Sequence, residues 1–267
     1  MPLKKVNTTN PPWFEAATEK ADDDAPYRVR HVVPERYEAY AKILHPLYEL
    51  PDVEDRELTW DEWERSRWEE EERQGTGTDS DFARLVREKT TTWIGATDGR
   101  EDVRQVSWRT LTERYGMAYV PELSHWSFKV AFEKSWPRYL TGAQEGNLDP
   151  REAWALLECL RPHAEERCRF WFCWADTWSE KEDRTDAIAE GDLYDLPHAM
   201  VAGHADWPTA IWPLGENWFV GSDPDLSFTL IGGPRPLIDT VLADPRLETF
   251  EVSASMGISR YADTTNT

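Results

Sequence analysis

The apolar positions near the start of the chain recur at helical spacing. Over residues 34–46 they lie three and four residues apart, which predicts a helix that Pro46 ends. The apolar stripe of this helix consists of Tyr37, Tyr40, Ala41 and Leu44. Residues 27–33, just before it, alternate between apolar and polar and predict a short strand.

Capping residues mark further helices. An Asp, Ser or Thr at the N-cap accepts a hydrogen bond from the first turn, and Gly is a common last residue. The predicted segments are 61–73 after Thr59, 107–116 from Ser107 to Gly116, and 150–164 after Asp149 with Pro150 at the first position. Shorter helices are predicted over residues 81–89 and 234–244.

The second half of the chain has the short apolar runs and close turns that are typical of strands. The run CRFWFCWA at residues 168–175 is bounded by polar residues and predicts a central strand. Further strands are predicted over residues 196–201, 210–212, 217–222, 228–231 and 247–252. The sequence therefore predicts an α+β fold, with N-terminal helices packed on a mostly antiparallel C-terminal sheet.

Composition predicts one domain with a polar arm. Residues 1–26 contain a Pro-Pro pair and three consecutive aspartates, and we expect them to form a flexible arm. Residues 27–267 are expected to form a single α+β domain. Its helical part is expected over residues 27–165 and its sheet-rich part over 166–256. The highly charged residues 50–80 are expected to be an insertion.

The chain is strongly acidic, with 51 acidic residues, 30 basic residues and a formal net charge of −21. This charge repels the phosphates of nucleic acids and anionic lipids, so the sequence argues against nucleic-acid and membrane partners. It attracts basic proteins, although proteins adapted to a salty cytoplasm are acidic too. Since no apolar stretch reaches the ~20 residues of a membrane span and no secretory signal is present, we expect a cytoplasmic protein.

The common sequence patterns of catalysis and metal binding are absent. The three cysteines form no CxxC pair, and the six histidines form no HExxH pattern. The G-x-S-x-G, Walker and dinucleotide-binding patterns are missing as well. The sequence therefore predicts no catalytic residue, no metal site and no cofactor.

The densest group of unusual residues begins at Trp212. Asp223 and Asp225 lie two positions apart and point the same way in an extended segment, where they can share a cation. Asp-Pro-Asp is also a good turn sequence, so the turn remains the alternative. Arg235 opens a predicted helix whose first N–H groups are able to hold an anion. The candidate binding residues are Trp212, Trp218, Asp223, Asp225 and Arg235.

The same region resembles a bacterial protein family that has no assigned activity. The resemblance rests on the residues Trp212-Pro213, Trp218-Phe219-Val220, Asp223, Asp225, Thr229, Gly232-Gly233 and Leu247-Glu248, and on the early segment 37–46. It covers about a third of the chain. It implies a bacterial, cytoplasmic protein and brings no catalytic residue or ligand with it.

Two functions fit these observations. The first is an interaction protein of the immunity or regulatory type, which covers a basic partner such as the catalytic domain of a secreted toxin. The acidic charge and the 15 tryptophans favour it, because aromatic residues dominate protein interfaces. The alternative is an enzyme, or a small-molecule or metal binder, with a pocket near Asp223, Asp225 and Trp212. The missing catalytic patterns favour the interaction protein.

Overall fold

The structure, a computed structural model, describes residues 3–6, 27–74, 103–128, 132, 135–164, 167–173, 187–201 and 207–266. The chain divides into two compact units. The first unit comprises residues 1–45, 120–122 and 144–262, and the second comprises 46–119, 123–143 and 263–267. Whether they form the predicted single domain stays a prediction. Residues 7–26 of the expected arm and the predicted helix over 81–89 lie outside the described residues.

The described strands and helices alternate along the chain. The strands are β1 (Lys4–Lys5), β2 (Ala39–Leu44), β3 (Leu47–Glu49), β4 (Arg104–Val106), β5 (Leu140–Gly142), β6 (Cys168–Phe172), β7 (Ala187–Gly191), β8 (Ala210–Pro213), β9 (Phe219–Gly221), β10 (Phe228–Gly233) and β11 (Thr249–Val252). The helices are α1 (Trp60–Gln74), α2 (Trp108–Arg114), α3 (Pro150–Leu160), α4 (Asp195–Val201) and α5 (Arg235–Ala243).

An eight-stranded antiparallel sheet forms the first unit. Its strand order is β1-β7-β6-β8-β9-β10-β2-β11. Helix α5 packs on β2, β10 and β11, and helix α3 packs on α5. The core between the sheet and these helices includes the buried side chains of Ala41, Ile43, Leu156, Leu160, Phe170, Ile211, Val220, Ile231 and Ile238.

Strand β2 contradicts the predicted helix over residues 34–46. It pairs with β10 on one side and with β11 on the other, and all six of its residues are buried. A strand covered on both faces has no alternation of apolar and polar positions, so its sequence is easily mistaken for a buried helix. Lys42 tolerates burial because its Nζ donates to Pro121 O at 3.0 Å and lies 4.0 Å from the centre of the Phe228 ring.

Two of the predicted strands are wrong as well. Residues 29–31 form a 3-10 turn after an isolated bridge between Arg28 and Gly257, where the alternation over 27–33 predicted a strand. Residues 196–201 belong to helix α4. Their short apolar run suits either element, and Asp195 in the first turn of α4 favours the helix.

The coarse fold class, α+β with mostly antiparallel sheets, is confirmed. The predicted arrangement, N-terminal helices on a C-terminal sheet, is wrong. β2 comes from the part of the chain that was expected to be helical and lies inside the large sheet, while α4 and α5 come from the part that was expected to be sheet-rich. The sheet is therefore assembled from distant segments, which a reading of consecutive elements does not reveal.

The helices predicted after Thr59, Ser107 and Asp149 are confirmed. Ser107 Oγ accepts the Thr110 N–H at 3.0 Å at the start of α2, and Asp149 Oδ1 accepts the Arg151 N–H at 3.1 Å at the start of α3. At the start of α1 the capping bonds are reciprocal: Thr59 Oγ1 accepts the Glu62 N–H at 3.3 Å, and Glu62 Oε2 accepts the Thr59 N–H at 3.0 Å. These caps satisfy N–H groups that the helix itself leaves unpaired.

The second unit combines α1 and α2 with a three-stranded antiparallel sheet of order β4-β3-β5. Its centre is a cluster of aromatic rings that consists of Trp108, Tyr115, Phe128, Phe132 and Trp136. The Arg138 guanidinium lies 3.9 Å from the ring centre of Trp60 and 4.4 Å from that of Trp63. Within the described ranges, no helix of either unit combines the length and the apolar character that crossing a bilayer requires.

The cap of α3 provides a test of the first unit. We expect Asp149→Ala to lower the free energy of unfolding by about 1 kcal/mol, because the Arg151 N–H loses its acceptor. Asp149→Ser retains an acceptor and should lose much less. Urea unfolding followed by circular dichroism measures both variants, and equal stability of the Ala variant and the parent chain would contradict the cap.

Candidate functional site

The hairpin turn between β9 and β10 holds both candidate aspartates. Asp223 Oδ1 accepts the Asp225 N–H at 2.9 Å, and Asp223 O accepts the Leu226 N–H at 3.0 Å. These are the local bonds of an Asx turn, so the turn interpretation of Asp-Pro-Asp is confirmed. Asp223 Oδ2 also accepts the Tyr27 O–H at 2.6 Å. Both oxygens of Asp223 are therefore engaged.

A second loop brings Glu145 to the same turn. The Gly146 N–H donates to Leu226 O at 2.9 Å, and Gly146 has a φ of 65°. A Cβ at this position would lie 2.7 Å from Pro224 Cα, so only glycine allows the two loops to approach this closely. The close approach sets the neighbouring Glu145 beside the two aspartates.

The three carboxyl groups influence one another electrostatically. Partial burial of its carboxyl, followed by the charges of Asp225 and Asp223, raises the pKa of Glu145 to about 7. Partial burial and the charge of Asp223 also raise the pKa of Asp225. Both residues are exposed overall, so solvent screens part of this repulsion. We call Glu145, Asp223 and Asp225 the acidic cluster.

Tyr27 is a neutral donor to the acidic cluster. Burial, and then the negative charge of Asp223, raise the pKa of its hydroxyl group far above the usual range. The hydroxyl group therefore stays protonated and donates a hydrogen bond to Asp223. The Tyr27 ring stacks on His31, with the ring centres 5.6 Å apart.

A buried chain of hydrogen bonds lies behind the acidic cluster. Its members, in order, are Trp207 Nε1, Ser222 Oγ, Thr229 Oγ1, His45 Nε2, His45 Nδ1 and Gln144 O. The successive distances between the residues are 2.9, 2.7, 2.9 and 2.5 Å. All four side chains are buried. Since Ser222 precedes Asp223 and Gln144 precedes Glu145, this chain of hydrogen bonds fixes the backbone on both sides of the acidic cluster.

The direction of this chain follows from its two ends. A carbonyl oxygen only accepts, so His45 Nδ1 carries a hydrogen, and burial lowers the pKa of His45 to about 4, which keeps the ring neutral. His45 Nε2 then accepts the hydrogen of Thr229, and Thr229 accepts that of Ser222. At the other end the indole N–H of Trp207 only donates, and Ser222 accepts it. Both ends require the same direction.

The structure separates the five candidate binding residues. Asp223 and Asp225 precede β10, whereas Arg235 follows it, and six residues of strand separate them by roughly 17 Å. Trp212 and Trp218 belong with Arg235 at the far end. Trp212 is buried and stacks on Phe219, and Trp218 Nε1–H donates to His163 O at 2.9 Å. These two tryptophans are part of the core.

Arg235 is surrounded by carboxylates. Its guanidinium group lies 2.7 Å from Glu251 Oε1 and 3.6 Å from Asp239 Oδ1, and its backbone N–H donates to Glu38 Oε2 at 3.0 Å. The first turn of α5 is therefore already capped by an acidic side chain. This arrangement gives no support to the anion site that the sequence suggested.

Sequence reasoning missed Glu145, Tyr27 and the role of His45. Tyr27 and Asp223 are 196 positions apart, and nothing in the local sequence links them. His45 falls at the end of the helix that was predicted over residues 34–46; it follows strand β2 instead and is fully buried. No group of three acidic, His or Cys side chains in the described part of the chain is arranged to hold a metal ion.

Comparisons of the chain with protein-family models, with curated proteins and with solved structures found no match. The resemblance to a bacterial family with a Trp-Pro, Asp-x-Asp and Thr-x-x-Gly-Gly pattern therefore stays a prediction.

The buried His45 predicts loss of stability in acid. Its pKa is about 4 in the folded chain and 6.5 in the reference state, so folding favours the neutral ring. The stability that this preference contributes is complete above pH 6.5 and is lost as the pH falls from 6.5 to 4, by at most about 3 kcal/mol. We expect His45→Asn to lack this part of the pH dependence in urea unfolding. A pKa near 6.5 for His45, measured by NMR, would contradict the buried hydrogen-bond chain.

Glu145 predicts the opposite dependence of stability on pH. Because its pKa is raised to about 7, ionisation is disfavoured in the folded chain, and stability falls as the pH rises from 4.5 to 7. We expect Glu145→Gln to be more stable than the parent chain at pH 8 by about 1 kcal/mol, after allowance for solvent screening. The difference should vanish at pH 4. Thermal unfolding at both pH values measures it, and a destabilised variant at pH 8 would show that the repulsion is absent.

Proposed function

We propose that this chain is an acidic interaction protein, of the immunity or regulatory type, that binds a basic protein in the cytoplasm through the acidic cluster. The observation that carries the proposal is the Asp225 carboxylate. It is exposed, it accepts no hydrogen bond from a described residue, and it lies beside Asp223 and Glu145, whose charges it repels. A cationic side chain placed here would relieve that repulsion.

A guanidinium or ammonium group suits the acidic cluster better than a metal ion does. The described carboxylates do not converge as metal ligands. Arginine has five N–H donors on a planar group, and it is able to reach carboxylates that are set further apart. The Tyr27 hydroxyl and the Asx turn hold Asp223 in place, so the cluster is ordered before a partner arrives.

The charge of the whole chain supports the same partner class. A net charge of −21 attracts a basic protein over distances longer than any contact, which raises the rate of encounter and weakens as salt is added. The acidic cluster would then provide the short-range recognition. Dependence on Asp225 distinguishes this function from non-specific attraction, which salt weakens as well.

The small-molecule alternative requires Trp212 beside the two aspartates. The structure places Trp212 in the core, at the other end of the strands that the turn joins. No observation on the described residues favours an enzyme, so we propose the interaction protein alone.

The proposal predicts that removing one charge weakens binding of a basic peptide. We expect Asp225→Asn to lower the affinity for a fluorescein-labelled decapeptide of alternating lysine and valine about three- to fivefold, since an exposed charge pair contributes up to about 1 kcal/mol. Fluorescence anisotropy at 20 mM salt measures the affinity. The control is Glu113→Gln, which removes one exposed charge from α2, in the other unit.

The salt and pH dependence complete this test. Binding should weaken at 300 mM salt, where the Debye length is about 6 Å. It should strengthen as the pH rises from 6 to 8, because Glu145 ionises in that range. Equal losses in Asp225→Asn and Glu113→Gln would show that only net charge matters, and binding that ignores salt would remove the proposal.

A further inference from the structure

The two edges of the eight-stranded sheet are protected to different degrees. At one edge β1 is only two residues long, and both residues are exposed lysines, which discourage a further strand. At the other edge β11 has four residues and contains neither lysine nor proline. Phe250 and Val252 in β11 are only half-buried. The second edge therefore lacks lysine and proline, and the one charge on it, the exposed Glu251, is negative.

The direction of the backbone groups of β11 follows from one hydrogen bond. The Leu44 N–H donates to Glu248 O at 2.9 Å, so residues 44 and 248 form a hydrogen-bonded antiparallel pair. The pattern alternates along the pair, so Phe250 and Val252 bond to β2, opposite Lys42 and Tyr40. The N–H and C=O groups of Thr249 and Glu251 therefore point away from the sheet.

These four outward groups of β11 have no partner within the described ranges. No hydrogen bond from a described residue reaches the backbone N–H or C=O of Thr249 or Glu251. They are spaced two residues apart, as the bonding positions of one more antiparallel or parallel strand require. Half-buried Val252 offers apolar contact beside them.

The charges around β11 select the partner. Carboxylates outnumber arginines near β11 and the turns at its two ends. The carboxylates belong to Glu38, Glu158, Asp239, Asp244, Glu248 and Glu251, and the arginines are Arg235, Arg246 and, beside the residues that follow the strand, Arg28 and Arg30. An extended segment with lysine or arginine side chains complements this surface, and an acidic segment does not.

We propose that β11 takes up an extended basic segment of the partner protein as a ninth strand of the sheet. The partner's backbone would pair with Thr249 and Glu251, and its basic side chains would meet the surrounding carboxylates. This inference rests on the proposed function, because it specifies how the basic partner binds. It adds main-chain pairing, which gives affinity without requiring a particular side chain at every position.

The open edge is continuous with the acidic cluster. Leu44 pairs with Phe228 of β10 and lies opposite Glu248, so the start of β11 is at the same end of the sheet as the turn that carries Asp223 and Asp225. An added strand would lie about 14 Å from β10, which is three inter-strand spacings. One partner segment that continues past Glu248 is therefore able to reach both surfaces.

A second copy of this chain fits the edge less well. Pairing two β11 strands would bring Glu248 and Glu251 of each copy close to the same residues of the other. Each copy also carries a net charge of −21, which opposes association. Like charges opposite each other in adjacent strands are destabilising. The second copy is therefore an outcome of the test and not the proposal.

Amide hydrogen exchange by NMR tests the proposal on the full chain. Without a partner we expect the Thr249 and Glu251 N–H groups to exchange fast and those of Phe250 and Val252 to exchange slowly. The labelled decapeptide of alternating lysine and valine should slow the first two. A decapeptide of alternating glutamate and valine should not. Fast exchange at Thr249 and Glu251 in the presence of bound lysine-valine peptide would overturn strand addition.

Two variants at one position supply the matched control. Thr249→Pro removes the outward N–H and leaves the bonds to β2 in place. It should lower the affinity for the lysine-valine peptide about five- to tenfold, because one hydrogen bond is lost and the proline ring blocks the edge. Thr249→Ala keeps the N–H and should bind like the parent chain. Circular dichroism checks that both variants fold; if the Pro variant does not, the exchange pattern of the parent chain decides.

The outcomes separate this inference from the proposed function. Peptide binding that depends on salt and on Asp225 but leaves Thr249 and Glu251 unprotected overturns strand addition and keeps the proposed function. No binding of the basic peptide overturns both. Protection of the two amides without peptide, together with a concentration-dependent dimer in analytical ultracentrifugation, assigns the edge to a second copy and overturns the proposal.

Discussion

Burial of strand β2 between β10 and β11 is the constraint on which the first unit depends. A backbone without access to water must pair all its N–H and C=O groups, and β2 does so with two strands that lie almost two hundred positions further along the chain. Helix α5 covers the three strands and connects two of them. Even Lys42 conforms, since a carbonyl oxygen and an aromatic ring receive its charge.

The candidate site is a consequence of that pairing. His45 follows β2 directly, and the pairing of β2 with β10 puts its ring within reach of Thr229. The hydrogen-bond chain then fixes Ser222 on one side and Gln144 on the other. The carboxylates of Asp223 and Glu145 come next in sequence to these two residues. Three acidic groups are thus held close to one another by a neutral, buried framework.

The elements that the sequence predicted correctly are those whose causes are local. Asp149 and Pro150 start α3, and the Asp-Pro-Asp sequence forms its turn, because neighbouring residues decide both. β2 was mistaken for a helix because both of its faces are covered, which buries every position and removes the alternation. Glu145 and Tyr27 join the candidate site only through the folded sheet. Reasoning from one sequence finds the turn and misses the residues that the sheet brings to it.

The hydrogen-bond chain behind the acidic cluster runs one way only. If His45 gained a second proton, Thr229 would have to turn towards Ser222, and the Ser222 hydroxyl hydrogen would be left without an acceptor in the chain. The indole of Trp207 therefore helps to keep the pKa of the His45 imidazole low, although three hydrogen bonds separate the two rings. Trp207, Ser222, Thr229 and His45 are therefore coupled, because a substitution at one position changes which hydrogen bonds the other three are able to make.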